Sequence, residues 1–373
     1  MTDRAKRVAV IFGGKSGEHD VSLASSRSVM AVLKEKGYEV VPVGLTRSGR
    51  WLMEGNPHAL LSNPTPGASG DEPGAAPVAQ NGGRELVPGA TGATFPPVDV
   101  VFPVLHGPFG EDGTVQGLLE LAGVPYVGCG VLASSLAMDK IACKELLLAH
   151  GVPVVPFRAT TRGAFERNPG RALAEIEELG YPVFVKPANL GSSIGVSKAR
   201  DRQELRDALA EAAKFDRRLL IEQAVPAPRE IECAVLGNDE PLASVAGEVV
   251  PSNDFYDYAA KYIDGKSDLR IPADIPPAVA DRVRELSVDA FKAIDGGGLA
   301  RVDFLLSAET GELFLNEINT LPGFTAISMY PKLWEATGVP YAELVERLIH
   351  LALERHEENR RSQTSYFGGV LAA

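Results

Sequence analysis

Arg301-Val302-Asp303-Phe304, a turn around Glu309-Thr310-Gly311, and Leu313-Phe314-Leu315-Asn316-Glu317-Ile318-Asn319 read as a β-hairpin that gathers carboxylates and an amide. Side chains alternate faces along a strand, so Arg301 and Asp303 share one face, as do Glu317 and Asn319. Folding about the turn sets Asp303 opposite Glu317, within one residue of register. Oxygen ligands clustered in this way, too few to fill a coordination shell, suit Mg²⁺ that keeps waters and takes its remaining ligands from substrate phosphates. The alternative for this segment alone is a hairpin with one solvated acidic face.

The chain has 373 residues, 45% of them hydrophobic and 23% charged, which is the composition of a globular protein of two or three domains. A formal net charge of -12 argues against a general nucleic-acid surface, although a local basic pocket for nucleotide phosphates is compatible with it. Cys129, Cys143 and Cys233 lack C-x-x-C spacing and imply neither a disulfide framework nor a zinc site. No apolar run approaches a membrane span, and Val8–Phe12 is too short for a signal-peptide core, so a cytoplasmic enzyme without nucleic-acid or membrane partners is expected.

Val8–Phe12 and Val40–Leu45 flank a helical pattern from Ser22 to Lys36, which makes one βαβ unit. Leu61–Pro97, rich in Pro, Gly, Ala and Ser, is expected to be a mobile surface insertion without chemistry. Val98–Leu105 then leads into His106-Gly107-Pro108-Phe109-Gly110-Glu111-Asp112-Gly113, a glycine-rich loop at the carboxyl end of a strand, where open α/β sheets bind ligands. Ser134–His150 is again helical. The segment from Pro182 to Gln223 reads as a small antiparallel sheet with helices, and the third part opens at Arg229.

Gly14-Lys15-Ser16 and Gly265-Lys266-Ser267 are not P-loops, because positions 9 and 260 are Ala. Gly128-Cys129-Gly130-Val131-Leu132-Ala133 fits a dinucleotide fingerprint but lacks the later acidic residue that would hold ribose, and a turn closing the first domain is the preferred reading. Lys186 ends an apolar strand and precedes Asn189-Leu190-Gly191-Ser192-Ser193-Ile194-Gly195, whose backbone N–H groups and hydroxyls can wrap a polyphosphate; the plain alternative is an ordinary hairpin with an exposed Lys. Glu222 ends another strand, where it and the backbone could meet an adenine edge, and Glu230 could hold ribose hydroxyls. Asp20 is an adequate N-cap for the first helix, which leaves Glu18 for another purpose. The aromatic loop Phe255–Tyr262 could fold over a site, and Asn319–Phe324 leads to Ser328-Met329 at a helix start able to hold a carboxylate.

As an ordered set, Gly13–Ser22, Gly110–Gly113, Met138-Asp139-Lys140, Lys186–Gly195, Glu222, Phe255–Tyr262, Arg301–Asp303 and Glu317–Gly323 resemble the D-alanine–D-alanine ligases of the ATP-grasp superfamily. The resemblance spans nearly the whole chain apart from the insertion and the tail. It implies a three-domain ATP-grasp architecture, α/β and α+β: an N-terminal parallel-sheet domain at 1–137 with an insertion at 62–97, a central subdomain at 138–228, and a C-terminal subdomain at 229–373. Lys140 and Lys186 match the lysines that contact ATP phosphates, Glu222 the adenine-binding acid and Glu230 the ribose-binding acid, with Ser192, Ser193, Lys261 and Asn316 in the same nucleotide site. Asp303, Glu317 and Asn319 match the ligands of two Mg²⁺ ions, with Mn²⁺ an alternative. Glu18 matches the residue that holds the ammonium of the first D-alanine, and His106 one lining that subsite. Arg301 and the Gly323 N–H match the groups that stabilise the tetrahedral oxyanion, and Ser328 and Met329 the cradle for the second substrate's carboxylate. Ser192 and Tyr262 match a pair that, with Glu18, latches a lid, and Tyr at position 262 favours the dipeptide over a D-lactate ester.

The implied reaction forms a D-alanyl phosphate from ATP and D-alanine, which a second D-alanine then attacks, for peptidoglycan precursor and cell-wall synthesis; a homodimer is what the family suggests. Two other readings stand beside it: a different ATP-grasp ligase, and an oxidoreductase built on Gly128–Ala133. Only the ligases explain Asp303, Glu317 and Asn319 together with Lys186.

Overall fold

A computed structural model describes residues 5–53, 55–62, 77–80, 85–88, 97–250 and 268–363. The first sheet combines β1 (Arg7–Gly13), β2 (Glu39–Leu45), β3 (Trp51–Leu52) and β6 (Val100–Val104) in the order β3-β2-β1-β6, while β4 (Pro77–Gln80) and β5 (Glu85–Pro88) form a separate antiparallel hairpin. β1 runs parallel to both β2 and β6, and β3 closes the edge antiparallel. Val8 to Phe12 are fully buried because both faces are covered. One face packs Val8, Val10 and Phe12 with Leu23, Val29 and Leu33 of the helix His19–Glu35; the other packs Ala9 and Ile11 with Val115 and Leu119 of the helix Thr114–Ala122.

The second sheet is small and wholly antiparallel, with β7 (Phe157–Thr161), β8 (Val183–Pro187), β9 (Ser197–Ala199) and β10 (Arg218–Gln223) in the order β7-β10-β8-β9. Its core is its own: Val183, Val185, Leu219 and Ile221 pack against Leu173 and Ile176 of one helix and Leu205 and Leu209 of another. The latter helix, Arg202–Ala212, starts where Asp201 accepts from the backbone N–H groups of Gln203 and Glu204.

The third sheet runs β13-β12-β11-β14-β15, with β11 (Pro228–Gly237), β12 (Leu242–Val250), β13 (Asp268–Arg270), β14 (Gly298–Ser307) and β15 (Leu313–Asn319) all antiparallel. It shares a core with the first sheet through Tyr330 and Trp334 of the helix Met329–Ala336 and Leu344 and Leu348 of the helix Tyr341–Arg360.

Three local expectations change. The first helix begins at His19, so Asp20 lies within its first turn, exposed and paired with Arg47, rather than at the N-cap. The Ser134–His150 pattern is two helices, Val131–Met138 and Lys140–Ala149, broken at Asp139, whose extended backbone lets its carboxylate cap the second by accepting from Ala142 N at 3.0 Å. The Leu61–Pro97 stretch carries the end of a short helix, Pro57–Ser62, and the β4–β5 hairpin.

Candidate active site

β14 and β15 pair with Arg301 opposite Asn319 and Asp303 directly opposite Glu317, inside the one-residue margin expected. Beyond Asp303 the register shifts, because Phe304 faces Leu315 and Asn316 is the extra residue of a β-bulge. The bulge explains how Leu315 and Ile318, three residues apart, both enter the core while Asn316 and Glu317 line the cleft. On the neighbouring β11, Glu232 pairs with Asp303 and Glu230 with Leu305. Alternation therefore places Glu230, Glu232, Arg301, Asp303, Glu317 and Asn319 on one face of three adjacent strands.

Arg301 is the organising cation of that face. Its Nε donates to Asp303 at 2.7 Å and its Nη2 to the other Asp303 oxygen at 2.6 Å, while Glu232 lies 2.9 Å from Nε. Burial disfavours the charged guanidinium, but Asp303 and Glu232 more than compensate and push its pKa well above the ordinary value. Asn319 donates its amide to Asp303 at 2.8 Å.

A second group converges from the central sheet and the capped helix. The break at Asp139 makes Lys140 the first residue of its helix, and its ammonium donates to the carbonyl of Leu190 and lies 4.0 Å from Glu317. Burial lowers the Lys140 pKa, with Glu317 opposing and Lys186 adding to that shift. Lys186, next to last in β8, pairs with Glu222 of β10 at 2.6 Å, with Asn316 Oδ1 at 3.4 Å. Glu222 takes a second lysine, Lys144, also at 2.6 Å. Burial works against its ionisation, but Lys144 and Lys186 overcome it and hold the carboxyl at about 2.

The loop from Asn189 to Gly195 is pinned at its start by Asn189 N donating to Asp216 at 2.8 Å. Ser192 and Ser193 then take left-handed backbone angles, φ 54° and 57°, which are costly for residues with a Cβ. Ser192 Oγ is buried without a hydrogen-bond partner among the described residues. The loop comes close to the start of the helix His19–Glu35, since a Cβ placed on Gly191 would stand 3.8 Å from Glu18 Oε2.

The part of the chain around the first sheet supplies Glu18, at the N-terminus of its helix, and His106, at the start of the loop after β6. His106 Nδ1 must carry the proton it donates to Leu321 O at 2.8 Å, because a carbonyl only accepts. Burial lowers its pKa, so Nε2 is a bare acceptor, buried and without a partner among the described residues. Glu111 is raised to about 8 by burial and by Glu18 nearby, against the opposing hydrogen bond from Gly107 N. The segment after β15 is fixed at Phe324, whose N–H donates to Ser25 Oγ at 3.2 Å and whose carbonyl accepts from Tyr341 at 2.8 Å. Gly323 and Ser328 are neighbours, as a Cβ on Gly323 would lie 3.3 Å from Ser328 Oγ.

Glu18, His106, Lys140, Lys186, Ser192, Glu222, Arg301, Asp303, Asn316, Glu317, Asn319 and Gly323 line one cleft of about 970 Å³, which also takes in Ser193, Glu230, Ser328 and Met329. The fingerprint-like Gly128–Ala133 stretch is not part of it and instead turns into the helix Val131–Met138. Lys261 and Tyr262, expected at the lid and beside the phosphate, lie outside the described residues. Two carboxylates and an amide, Asp303, Glu317 and Asn319, are the donors available for a divalent ion, rather than three or more His, Cys, Asp or Glu among the described residues. Hard oxygens in this number fit Mg²⁺. Sequence reasoning did not single out Lys144, Glu232 or Ser25. Lys144 alone had a local signal, sitting one helical turn after Lys140.

This architecture, an N-terminal parallel sheet followed by two antiparallel sheets around a cleft of lysines and carboxylates, is that of the ATP-grasp ligases. The D-ala D-ala ligase N-terminus family matches residues 7–129, and the D-ala D-ala ligase C-terminus family matches residues 146–350. The chain is 51% identical over 358 residues to a D-alanine–D-alanine ligase of Thermoanaerobacter sp. strain X514, covering 95% of this chain and 99% of the relative. It is 50% identical over 350 residues to that of Deinococcus radiodurans, covering 94% and 99%. Among solved structures, the D-alanine-D-alanine ligase from Coxiella burnetii superposes with TM-score 0.78 at 33% identity, covering 96% of both chains. The VanG D-Ala:D-Ser ligase from Enterococcus faecalis superposes with TM-score 0.80 at 36% identity, covering 94% of this chain and 100% of that one. The chain belongs to the D-alanine–D-alanine ligase family.

Proposed function

We propose that this protein joins two D-alanines into D-alanyl-D-alanine at the expense of ATP, for cell-wall synthesis. The observation that carries the reading is the single cleft in which Lys140, Lys186 and the Asn189–Gly195 loop meet Asp303, Glu317 and Asn319 beside Glu18 and His106. Lys140 and Lys186 neutralise the phosphate chain, the loop's backbone N–H groups wrap it with Ser192 and Ser193, Glu222 and Glu230 hold adenine and ribose, and Asn316 lies beside the phosphates. Asp303, Glu317 and Asn319 would hold Mg²⁺, which when bound spreads phosphoryl charge and orients the nucleotide.

Glu18 holds the ammonium of the first D-alanine, and His106 Nε2 accepts a hydrogen bond in the same subsite. The carboxylate oxygen of that D-alanine attacks the γ-phosphorus and ADP leaves, giving the acylphosphate. The second D-alanine, its carboxylate cradled at Ser328 and Met329, loses an ammonium proton and attacks the acyl carbon. Arg301 and the Gly323 N–H stabilise the oxyanion until phosphate departs. The Asp303 and Glu232 carboxylates hold the Arg301 fork in place, so donors are set before charge develops. The division into segments 1–137, 138–228 and 229–373, a cytoplasmic location, a homodimer and tolerance of Mn²⁺ belong to the same proposal.

The test is phosphate release from ATP and Mg²⁺ with D-alanine alone, then with D-alanine plus D-serine or D-lactate, with products identified by mass. D-alanine-dependent release yielding the dipeptide is expected. ATP binding without D-alanine dependence would overturn the substrate assignment. Tyr262→Phe is expected to admit D-lactate as acceptor, and no new ester product would count against that role.

A further inference from the structure

We infer that Lys144, which reaches the cleft only through Glu222, is a positioning residue that frees Lys186 to bind the phosphate end of the nucleotide. This rests on the reading of the cleft as an ATP site. Lys144 and Glu222 are both almost wholly enclosed, with side chains 2% and 3% exposed, and Lys144 does not line the cleft. Lys144 takes Glu222 Oε1 and Lys186 takes Oε2, so one buried carboxylate carries two cations on opposite oxygens. The two lysines are not equivalent. Lys144 is fixed in the interior, where it also donates to Leu315 O at 3.5 Å, whereas Lys186 is 16% exposed and lines the cleft beside Asn316.

A buried carboxylate with one counterion cannot release it without a large desolvation penalty. With Lys144 in place, Glu222 stays neutralised when the Lys186 ammonium turns to a phosphate oxygen. Without Lys144, phosphate and Glu222 compete for a single lysine, and nucleotide binding suffers in proportion to its phosphates. The helix geometry makes this economical, because Lys140 and Lys144 are one turn apart on the same helix face. The simpler reading is that Lys144 only neutralises Glu222 for folding.

The two readings separate by ligand. Calorimetry on the full-length chain would measure ADP with Mg²⁺ and adenosine against wild type, Lys144→Met, the double variant Glu222→Gln/Lys144→Met, and Lys186→Ala. Lys144→Met is expected to weaken ADP about ten-fold or more while moving adenosine less than about three-fold. The double variant removes the competing carboxylate without burying a lone charge, so its ADP-to-adenosine affinity ratio is expected to return to within about three-fold of wild type. Equal weakening of both ligands in Lys144→Met, an unchanged ADP affinity, or a double variant that does not recover the ratio would overturn the inference. If Lys186→Ala itself leaves ADP affinity unchanged, the fault lies in the assignment of the phosphate site, whatever Lys144 does.

Discussion

The β14–β15 hairpin and the Asn189–Gly195 loop both line the cleft, and they hold their side chains by different means. On the hairpin, Arg301 is clamped by Asp303 and Glu232, Asn319 donates to Asp303, and Val302, Phe304 and Ile318 bury the reverse face in a core shared with Leu147, Ile231, Leu286 and Phe291. On the loop, two consecutive serines are held at positive φ, and Ser192 Oγ is enclosed without a partner among the described residues. The sheet beneath the loop has a separate core, smaller than the one shared by the first and third sheets. One wall is thus organised by the protein itself, and the other stores strain that ligand contacts can repay.

The largest effect is expected where the organised wall is opened. Arg301→Met leaves Asp303 and Glu232 facing each other without their cation, so unfolding free energy should drop by about 3–5 kcal/mol and the ligation rate by about 100-fold or more. Denaturant unfolding and steady-state kinetics on the same preparation check both. A rate loss with unchanged stability would break the contrast drawn between the walls.

Next is the acid response of Glu222, which joins the two sides. Its folded carboxyl ionises at about 2 against an ordinary 4.5, so the stabilisation is complete above 4.5 and is lost as pH falls through 2, where the folded form takes up its proton. That is worth about 3 kcal/mol. Wild-type stability should fall over this window by that much more than that of Glu222→Gln, and parallel pH curves would show that the pairing is not formed.

Smaller effects sharpen the picture of the loop. Gly195 has φ 71°, and a Cβ there would meet Phe215 Cδ2 at 2.7 Å and Pro187 Cγ at 3.0 Å. Gly195→Ala should therefore cost about 1–3 kcal/mol, seen as a lowered denaturant midpoint. Ser192→Gly relaxes a strained φ, so stability should stay within about 1 kcal/mol of wild type, while the ligation rate falls through loss of the hydroxyl. A marked loss of stability would mean that the serine is not strained.

Much of this was legible without a structure because it depends on neighbours in sequence. Alternation put Arg301 with Asp303 and Glu317 with Asn319, the hairpin brought Asp303 to within one residue of Glu317, and the strand Val183–Val185 delivered Lys186 to a glycine-rich loop. The bulge at Asn316 was not legible: an extra residue exists only relative to the partner strand, and Leu313–Asn319 alone carries no mark of it. The helix break at Asp139 could have been found, since an Asp three residues before Ala142 is an ordinary capping arrangement. It was masked by a continuous apolar pattern on either side.

The first βαβ unit, the acidic hairpin, the lysine that precedes a glycine-rich loop and, through the ordered set of motifs, the ligase family can be read from the chain alone. These follow from periodicity and local chemistry, which act over a few residues. Which charges meet is set by the folded chain. That Glu222 holds both Lys144 and Lys186, that Arg301 is gripped by Glu232 as well as Asp303, and that Ser25 of the helix His19–Glu35 fixes Phe324 after β15 depend on sheet register and on how cores join. The physical reason is that a buried charge is tolerated only beside its counterion, and that counterion comes from a strand or helix distant in the chain.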